Sequence, residues 1–399
     1  VDTVWRQCVK SEFAVGSQEC SSSVLWDLKK FYESVDLDLL LQRCRQQGFP
    51  MQIARVCSAA YRAGRYMTMN GRVEGPKFAW RGIIAGCGFA TTFIRVFCLA
   101  ALDGLSLPRS VSLKIYIDDY TLSCAGSVHA VVNDLLEGAI KLQDVIEGDL
   151  GCTIAISKAA AIASVPAVAK AVRHGLGAVG GTKACDSAVN LGIDDAAGKP
   201  RRVAKRGEKV KVRRVNFVKK VRRLSLHKQS LGRHAKKVFT TGALSSMTYG
   251  CEVHGTSDHE LFCLRRALGR FLQPSAGGRS LTAALLFAAD PTWYCSVAPI
   301  VRWSKEIWAS LVGAFAFGLS LADLRRAWTV GFSGPSPPWR KIRGPVGALR
   351  LSVERIGWKM PGFSTLVDDK GVEVSLTLVS PALLKRLLRE AVLRMHERV

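Results

Sequence analysis

The chain has 399 residues, 48% of them hydrophobic, and a formal charge of +25 from 57 Lys and Arg against 32 Asp and Glu. That length is too great for one compact core and points to two or three domains, and the charge far exceeds what solubility needs, so the expected partner is a polyanion, nucleic acid before a membrane surface. The 12 cysteines include no CxxC pair and lie mostly in apolar segments. This argues against a disulfide framework and for reduced thiols in an intracellular protein.

No signal peptide is visible, and the first residue is Val1 rather than Met, so the chain is expected to be a fragment. The longest uncharged run, 307–322, is shorter than the roughly 18 apolar residues of a membrane span, and no membrane association is expected.

In chain order, "SVLWDL" (23–28) reads as a short apolar strand, followed by a helix over 36–48 with Leu39, Leu40 and Leu41 inward and Gly48 as its stop. Residues 64–75 read as a hairpin turning at Asn70-Gly71. A helix over 84–102 follows a glycine-rich entry, and 113–124 contains a strand pair around Asp118 and Asp119. The segment 128–151 reads as an amphipathic helix, with Val131, Leu135, Ile140, Leu142 and Ile146 as its apolar face and Gly151 at its end. "CTIAISK" (152–158) reads as the last strand of an α+β arrangement, an antiparallel sheet with helices on one face.

From Lys199 to Lys237 the sequence holds seventeen Lys and Arg and a single acid, Glu208. Val215, Val218, Val221 and Leu224 recur every three residues, which predicts a helix with that stripe inward and Arg213, Arg214, Lys219, Lys220, Arg222 and Arg223 outward, suited to phosphates. A nuclear-import signal is the rival reading of the same charges. Beyond Lys237 the pattern is mostly helical, broken by "GFSGPSPPW" (331–339). The predicted divisions are 1–23, a remnant of a preceding subdomain; 24–198, the α+β domain; 199–275, a basic helical region; and 276–399, a helical region without assigned function.

Adjacent Asp118 and Asp119 interrupt strand formers, where unpaired buried carboxylates each cost several kcal/mol. A divalent cation resolves that cost, and hard oxygen donors suit Mg²⁺. A third carboxylate is then required from another strand, and Asp27, at the end of "VLW", is the best candidate. Two ions on three such carboxylates imply phosphoryl transfer.

These residues also carry a family resemblance. "VLWDLKKFYESVD", "RGIIAGCGFATTF", "IYIDDYTL", "LGCTIAISKAAAIA" and "NLGID" resemble, in order and approximate spacing, motifs A to E of reverse transcriptases, closest to the non-LTR (LINE-like) retrotransposon type. The likeness covers roughly 20–195 and extends more weakly through "SSMTYGCEVHG" (245–255). It implies a right-hand polymerase palm with partial fingers and a basic helical thumb. It implies RNA-directed DNA polymerase activity: templated addition of deoxynucleotides to a primer 3′-hydroxyl, with Mg²⁺ or Mn²⁺, an RNA template and a DNA primer or duplex.

By the same resemblance Asp27, Asp118 and Asp119 would be catalytic metal ligands, Tyr32 the aromatic gate against a 2′-hydroxyl, and Leu28 a backbone carbonyl donor. Lys158 would neutralise or protonate the leaving pyrophosphate, and Ala85 and Gly86 would stand in the motif B segment beside substrate. Three positions depart from the family pattern: Ala85 replaces a glutamine, Ala90 a serine, and Glu33 an aspartate. The alternative reading is a degenerate or truncated descendant, a maturase-like or scaffolding protein that binds nucleic acid without catalysis.

Other motifs read as structural. Cys251, His254, His259 and Cys263 have a spacing zinc can use, but Leu261 and Phe262 between them read as buried helix. "GLGAVG" (175–180) follows a helical pattern and not a strand, against a dinucleotide site. Asp194-Asp195, before "AAGKP", reads as a solvated loop.

Overall fold

The computed structural model describes residues 1–181, 185–232, 234–272, 280–286, 290–313 and 318–397. It is a mixed α+β molecule, rich in helix. Its contacts form two compact units, one of Ser22–Cys185 and one of Val1–Ser21 with Asp186–Val399. These boundaries differ from the predicted ones at 23 and 198, and position 275 lies outside the described residues. The first helix, α1 (Asp2–Gly16), belongs to the second of these units. Its Val4, Trp5, Cys8 and Val9 are buried with Trp303, Ile307 and Leu349 in a common core, which no local pattern announces.

The unit of Ser22–Cys185 is built on strand β1 (Cys20–Asp27), followed by α2 (Phe31–Ser34), α3 (Leu37–Gln46) and α4 (Met51–Arg62). The hairpin β2 (Arg65–Met69) and β3 (Arg72–Lys77) leads to α5 (Ala90–Asp103). Then come β4 (Val111–Tyr116), β5 (Asp119–Gly126), α6 (Val128–Asp144), β6 (Ala160–Ala163) and α7 (Pro166–Leu176). Four strands form an antiparallel sheet in the order β4-β5-β1-β6. Its central strand β1 is buried along its length up to Trp26, and buried Ser22 is satisfied by donating to the Ile162 carbonyl at 2.9 Å. The helices α6 and α7 pack against β5 and β6.

Three local expectations change. In α3 only Leu40 of the three leucines is fully buried, since consecutive residues stand 100° apart and cannot share one face. In α6 Val131, Leu135 and Leu142 are buried, with Ile146 just beyond, while Ile140 is 48% exposed. Residues 152–158 are not a strand: they form a loop bridged to Leu28 at Ile154, and the strand is β6. Asn70 and Gly71, with φ of 52° and 76°, turn the β2–β3 hairpin as predicted.

The other unit adds the hairpin β7 (Ala188–Asn190) and β8 (Ile193–Asp195), then α8 (Arg201–Ala204) and the basic helix α9 (Glu208–Leu226). Short turns α10 (Lys228–Leu231), α11 (His234–Val238), α12 (Ser245–Thr248) and α13 (Cys251–His254) lead to α14 (Asp258–Leu272) and α15 (Leu281–Leu286). The long helices α16 (Pro291–Leu311), α17 (Leu321–Phe332) and α18 (Pro345–Arg355) follow. A small sheet, β9 (Lys359–Gly362), β10 (Thr365–Val367) and β11 (Glu373–Ser375), precedes α19 (Pro381–Glu397).

Two buried acids tie this unit together. Glu12 of α1 accepts from the Val346 and Gly347 amides at 2.7 and 2.9 Å, capping α18 from a distant part of the sequence. Burial pushes its carboxyl up to about 7 in spite of those hydrogen bonds. Asp194 accepts from the Lys209 and Val210 amides at 3.2 and 2.8 Å and so caps α9. Asp194 and Asp195 are therefore 2% and 1% exposed, and the reading of a solvated loop is wrong. No local signal shows a cap whose helix begins a dozen residues later.

Candidate active site

Asp27 is the last residue of β1, and the backbone beyond it is clasped on two sides. The Leu28 amide donates to the Asp118 carbonyl at 3.0 Å, and the Lys29 amide donates to the Thr153 carbonyl at 2.8 Å. The Ala155 amide donates to the Asp27 carbonyl at 2.8 Å. The loop 152–158 is thereby laid along the end of β1, and it delivers Lys158. Its ammonium lies 2.9 and 2.8 Å from the two carboxylate oxygens of Asp27.

Asp118 and Asp119 stand at the tip of the β4–β5 hairpin, where Tyr116 pairs with Asp119 across the two-residue turn Ile117-Asp118. Ile117 has φ +60°, a left-handed conformation that a β-branched side chain resists. A residue so held costs about 1–3 kcal/mol, and such strain concentrates where geometry serves function. Asp119 is pushed up to about 6, first by burial, then by the negative charges of Asp118 and Asp27, with Lys158 opposing. The three predicted carboxylates and Lys158 therefore act on one another across strand ends far apart in sequence. The next residue, Tyr120, is fully buried and its hydroxyl meets the Cys98 thiol at 3.7 Å, which anchors the hairpin on α5.

A cleft of about 560 Å³ opens here, lined by Asp27, Leu28, Tyr32, Asp118, Ile154 and Lys158. Lys29 and Lys30 line it as well. The sequence reading passed over both, although they follow Asp27 directly in "DLKKFY" and bring cations to the mouth of the cleft. Leu28 is 2% exposed, so its side chain is structural.

The motif B segment reaches the same neighbourhood from behind. The Gly82 amide donates to the Val35 carbonyl and the Ile83 amide to the Tyr32 carbonyl, both at 2.8 Å. Gly82 has φ +94°, and a Cβ there would stand 2.9 Å from the Glu33 Cα, so only glycine permits this approach. Ala85 and Gly86 lie beyond the contact, exposed, and they are not among the residues lining the cleft.

The predicted nucleic-acid-binding residues lie on α9, in the other unit. Lys219, Arg222 and Arg223 are exposed, and Lys220 reaches the Ser246 hydroxyl at 3.2 Å. Arg213 does not face out: it donates to the Tyr249 carbonyl at 2.8 Å and lies 4.8 Å from that ring's centre. The inward stripe is also different. Phe217 is the buried residue of α9, with Val221 and Leu224 packed beside it, while Val215 and Val218 are 54% and 49% exposed. A spacing of three drifts 60° at each step around a helix of 3.6 residues per turn, whereas 217, 221 and 224 stay on one face. Arg233, of the same basic block, lies outside the described residues.

Among the described residues no three His, Cys, Asp or Glu side chains are gathered closely enough to hold a metal ion. Cys251, His254, His259 and Cys263 accordingly form no ligand set; His254 is buried, with Nε2 2.9 Å from the Asp194 carbonyl. Phe262 is 50% exposed, against expectation, while Leu261 is buried. None of the twelve cysteines is bridged. At the carboxylate site the donor chemistry, hard anionic oxygen, would suit Mg²⁺ or Mn²⁺, but Asp27, Asp118 and Asp119 are not gathered as a ligand set, and the Asp27 carboxylate is engaged by Lys158.

No protein-family profile matches the chain, and no curated protein matches it. Among solved structures it is similar to apo telomerase from Candida tropicalis truncated from its C-terminal domain, at 11% identity and a TM-score of 0.36. The match covers 49% of this chain and spans 38% of that one. At that TM-score the likeness carries no argument about function. Among the described residues no helix is long and apolar enough to cross a membrane.

Proposed function

We propose that the unit of Ser22–Cys185 is the palm of a reverse-transcriptase-like nucleotidyltransferase that adds deoxynucleotides to a primer 3′-hydroxyl on an RNA template. One observation carries the reading: Asp27 ends β1 beside the Ile117-Asp118 turn, and Asp119, Asp118, Asp27 and Lys158 share one electrostatic site. The motifs in the sequence supply the rest, including the non-LTR type and a basic thumb in α9. The region 276–399 has no assigned part in it.

In the reaction the primer oxygen attacks the α-phosphorus of the nucleotide, the bond to the β-phosphate oxygen breaks, and pyrophosphate leaves. Asp27, Asp118 and Asp119 supply the hard anionic oxygens that suit Mg²⁺ or Mn²⁺ but are not gathered as a ready ligand set; an ion bound among them would neutralise the triphosphate and acidify the attacking hydroxyl. The chain's own residues do the remainder. Lys158, with its pKa raised chiefly by the hydrogen bond to Asp27, stays cationic and would neutralise the departing pyrophosphate. Lys29 and Lys30 draw the triphosphate to the cleft. Tyr32, on the cleft wall, excludes a ribose 2′-hydroxyl by lack of space.

A second reading, a non-catalytic nucleic-acid-binding descendant, is favoured by Ala85 in the glutamine position and by the clasp of Lys158 on Asp27. Primer extension on RNA with Mg²⁺ separates the two: incorporation by the native chain and none by Asp118→Ala supports the polymerase.

A further inference from the structure

A second cavity, of about 500 Å³, lies under α9 in the unit that holds no predicted catalytic residue. One wall is apolar, built from Phe217, Met247, Leu264 and Ala267. Lys205, Arg214 and Glu260 also line it, and with Arg201 they form a cluster of cations around a single carboxylate. Glu260 is shared by the guanidinium of Arg201, by Lys205 Nζ at 3.3 Å and by Arg214 Nη2 at 3.7 Å. The Ser257 amide and hydroxyl also donate to it, at 2.9 and 3.1 Å. Three positive charges thus meet one negative charge; Arg201, Glu260 and Lys205 are 6%, 18% and 24% exposed, while Arg214, 51% exposed, is the cation open to a ligand.

Among the described residues lining the cavity no other group supplies the missing charge. The other lining acid, Asp194, faces Arg213 and is taken up with capping α9. Arg213 itself is bound to carbonyls, those of Tyr249 and Gly192. His254 adds no charge of its own, since burial and then Lys205 push its imidazole down to about 3. The crowding shows in Lys205, whose ammonium burial and then Arg201 bring down to about 8. Burial alone would raise Glu260, yet Lys205 and Arg201 hold its carboxyl far below the usual carboxylate range.

A surplus of two charges is matched by a phosphate monoester, which carries about −1.5 to −2 at neutral pH. The cavity is within the roughly 300–1,000 Å³ of small-molecule sites, and its apolar wall offers a surface for a planar ring. We propose that this cavity binds a phosphorylated aromatic base, with the phosphate against Arg214 and Lys205 and the ring against Phe217, Met247 and Leu264. The assignment does not rest on the polymerase reading, because the site lies wholly within 193–267. Its source is a free nucleotide or the 5′-phosphorylated end of a strand, which share this chemistry.

Cys263 lines the cavity and is exposed, so its alkylation reports occupancy locally. The full chain is treated with iodoacetamide, and Cys263 is followed by peptide mass spectrometry with AMP, adenosine, inorganic phosphate, or an oligonucleotide with and without a 5′-phosphate. AMP or the 5′-phosphorylated strand is expected to slow alkylation on the order of fivefold, as for a ligand several times above its Kd. Whichever of the two protects more strongly identifies the source. Adenosine and phosphate alone are expected to protect weakly, and Arg214→Ala, folded by tryptophan fluorescence, is expected to lose the effect. No protection by either phosphorylated ligand, equal protection by adenosine, or undiminished protection in Arg214→Ala would overturn the assignment.

Discussion

Lys158 grips both carboxylate oxygens of Asp27, at 2.9 and 2.8 Å, across 131 positions of sequence. The pair is partly exposed, with Lys158 64% and Asp27 19% accessible, so its net contribution to stability is small, about 0–1 kcal/mol. A structural clasp of that worth would be dispensable, whereas a cation aimed at a leaving group would not. Lys158→Met is expected to lower kcat for nucleotide addition by about 10²-fold while changing primer affinity and unfolding midpoint little. Unchanged kcat in steady-state primer extension would assign the pair to structure alone.

Gly82 and Gly86 share φ +94° but differ in surroundings. At Gly86 a Cβ would meet nothing within 4 Å, and Gly86→Ala is expected to cost only the conformational strain, about 1–2 kcal/mol. At Gly82 the Cβ would press on the Glu33 backbone at 2.9 Å. Gly82→Ala is expected to cost more, at least about 2 kcal/mol, and to loosen Tyr32. Urea unfolding followed by circular dichroism compares the two, and equal costs would contradict the packing of this segment on α2.

The facing of α9 is tested by two truncations. Phe217 lies 6.2 Å from Phe239, edge to face, in a buried cluster, and Phe217→Ala is expected to cost about 3–4 kcal/mol. Val215 is 54% exposed, and Val215→Ala is expected to change stability by less than about 0.5 kcal/mol. The reverse order in thermal unfolding would restore the stripe of valines read from the sequence.

Two buried groups give opposite pH dependences. His254 is held neutral, its pKa lowered from 6.5 to about 3, so the folded state binds fewer protons there and the stabilisation is lost as pH falls from about 6.5 toward 3. Glu12 is raised from 4.5 to about 7, so its favourable contribution is full below about 4.5 and is lost as pH rises through 7. The stability advantage of the native chain over His254→Gln should shrink on acidification, and that over Glu12→Gln should shrink toward pH 8. Seven of the nine tryptophans lie in this unit, so urea unfolding read by their fluorescence measures it. Differences independent of pH would contradict both assignments.

The sequence was most legible where chemistry is local. Asn70-Gly71 and the two Asp of the β4–β5 turn are short-range signals, and Asp27 followed from the charge the pair requires. Lys158 reaches Asp27 from a loop and not from the strand expected, because "CTIAISK" alternates like a strand while its Thr153 carbonyl and Ala155 amide are used to hold Lys29 and Asp27 in place. What stayed hidden depends on distant partners: α1 joining the core of α16 and α18, Glu12 capping α18, and Asp194 buried as the cap of α9. The cations around Glu260 were also unreadable, since 201 and 205, 214, and 260 meet only after three separate segments fold together. Arg213 was misplaced for the same reason as the valines, a period of three read in place of 3.6.

The most direct measurement is single-nucleotide extension of a DNA primer on an RNA template with Mg²⁺, comparing the native chain, Asp27→Asn and Asp118→Ala at equal protein. The account predicts incorporation of a deoxynucleotide by the native chain and loss of it, by at least about 10³-fold, in both variants. Incorporation undiminished in either variant, or none by the native chain, would contradict it.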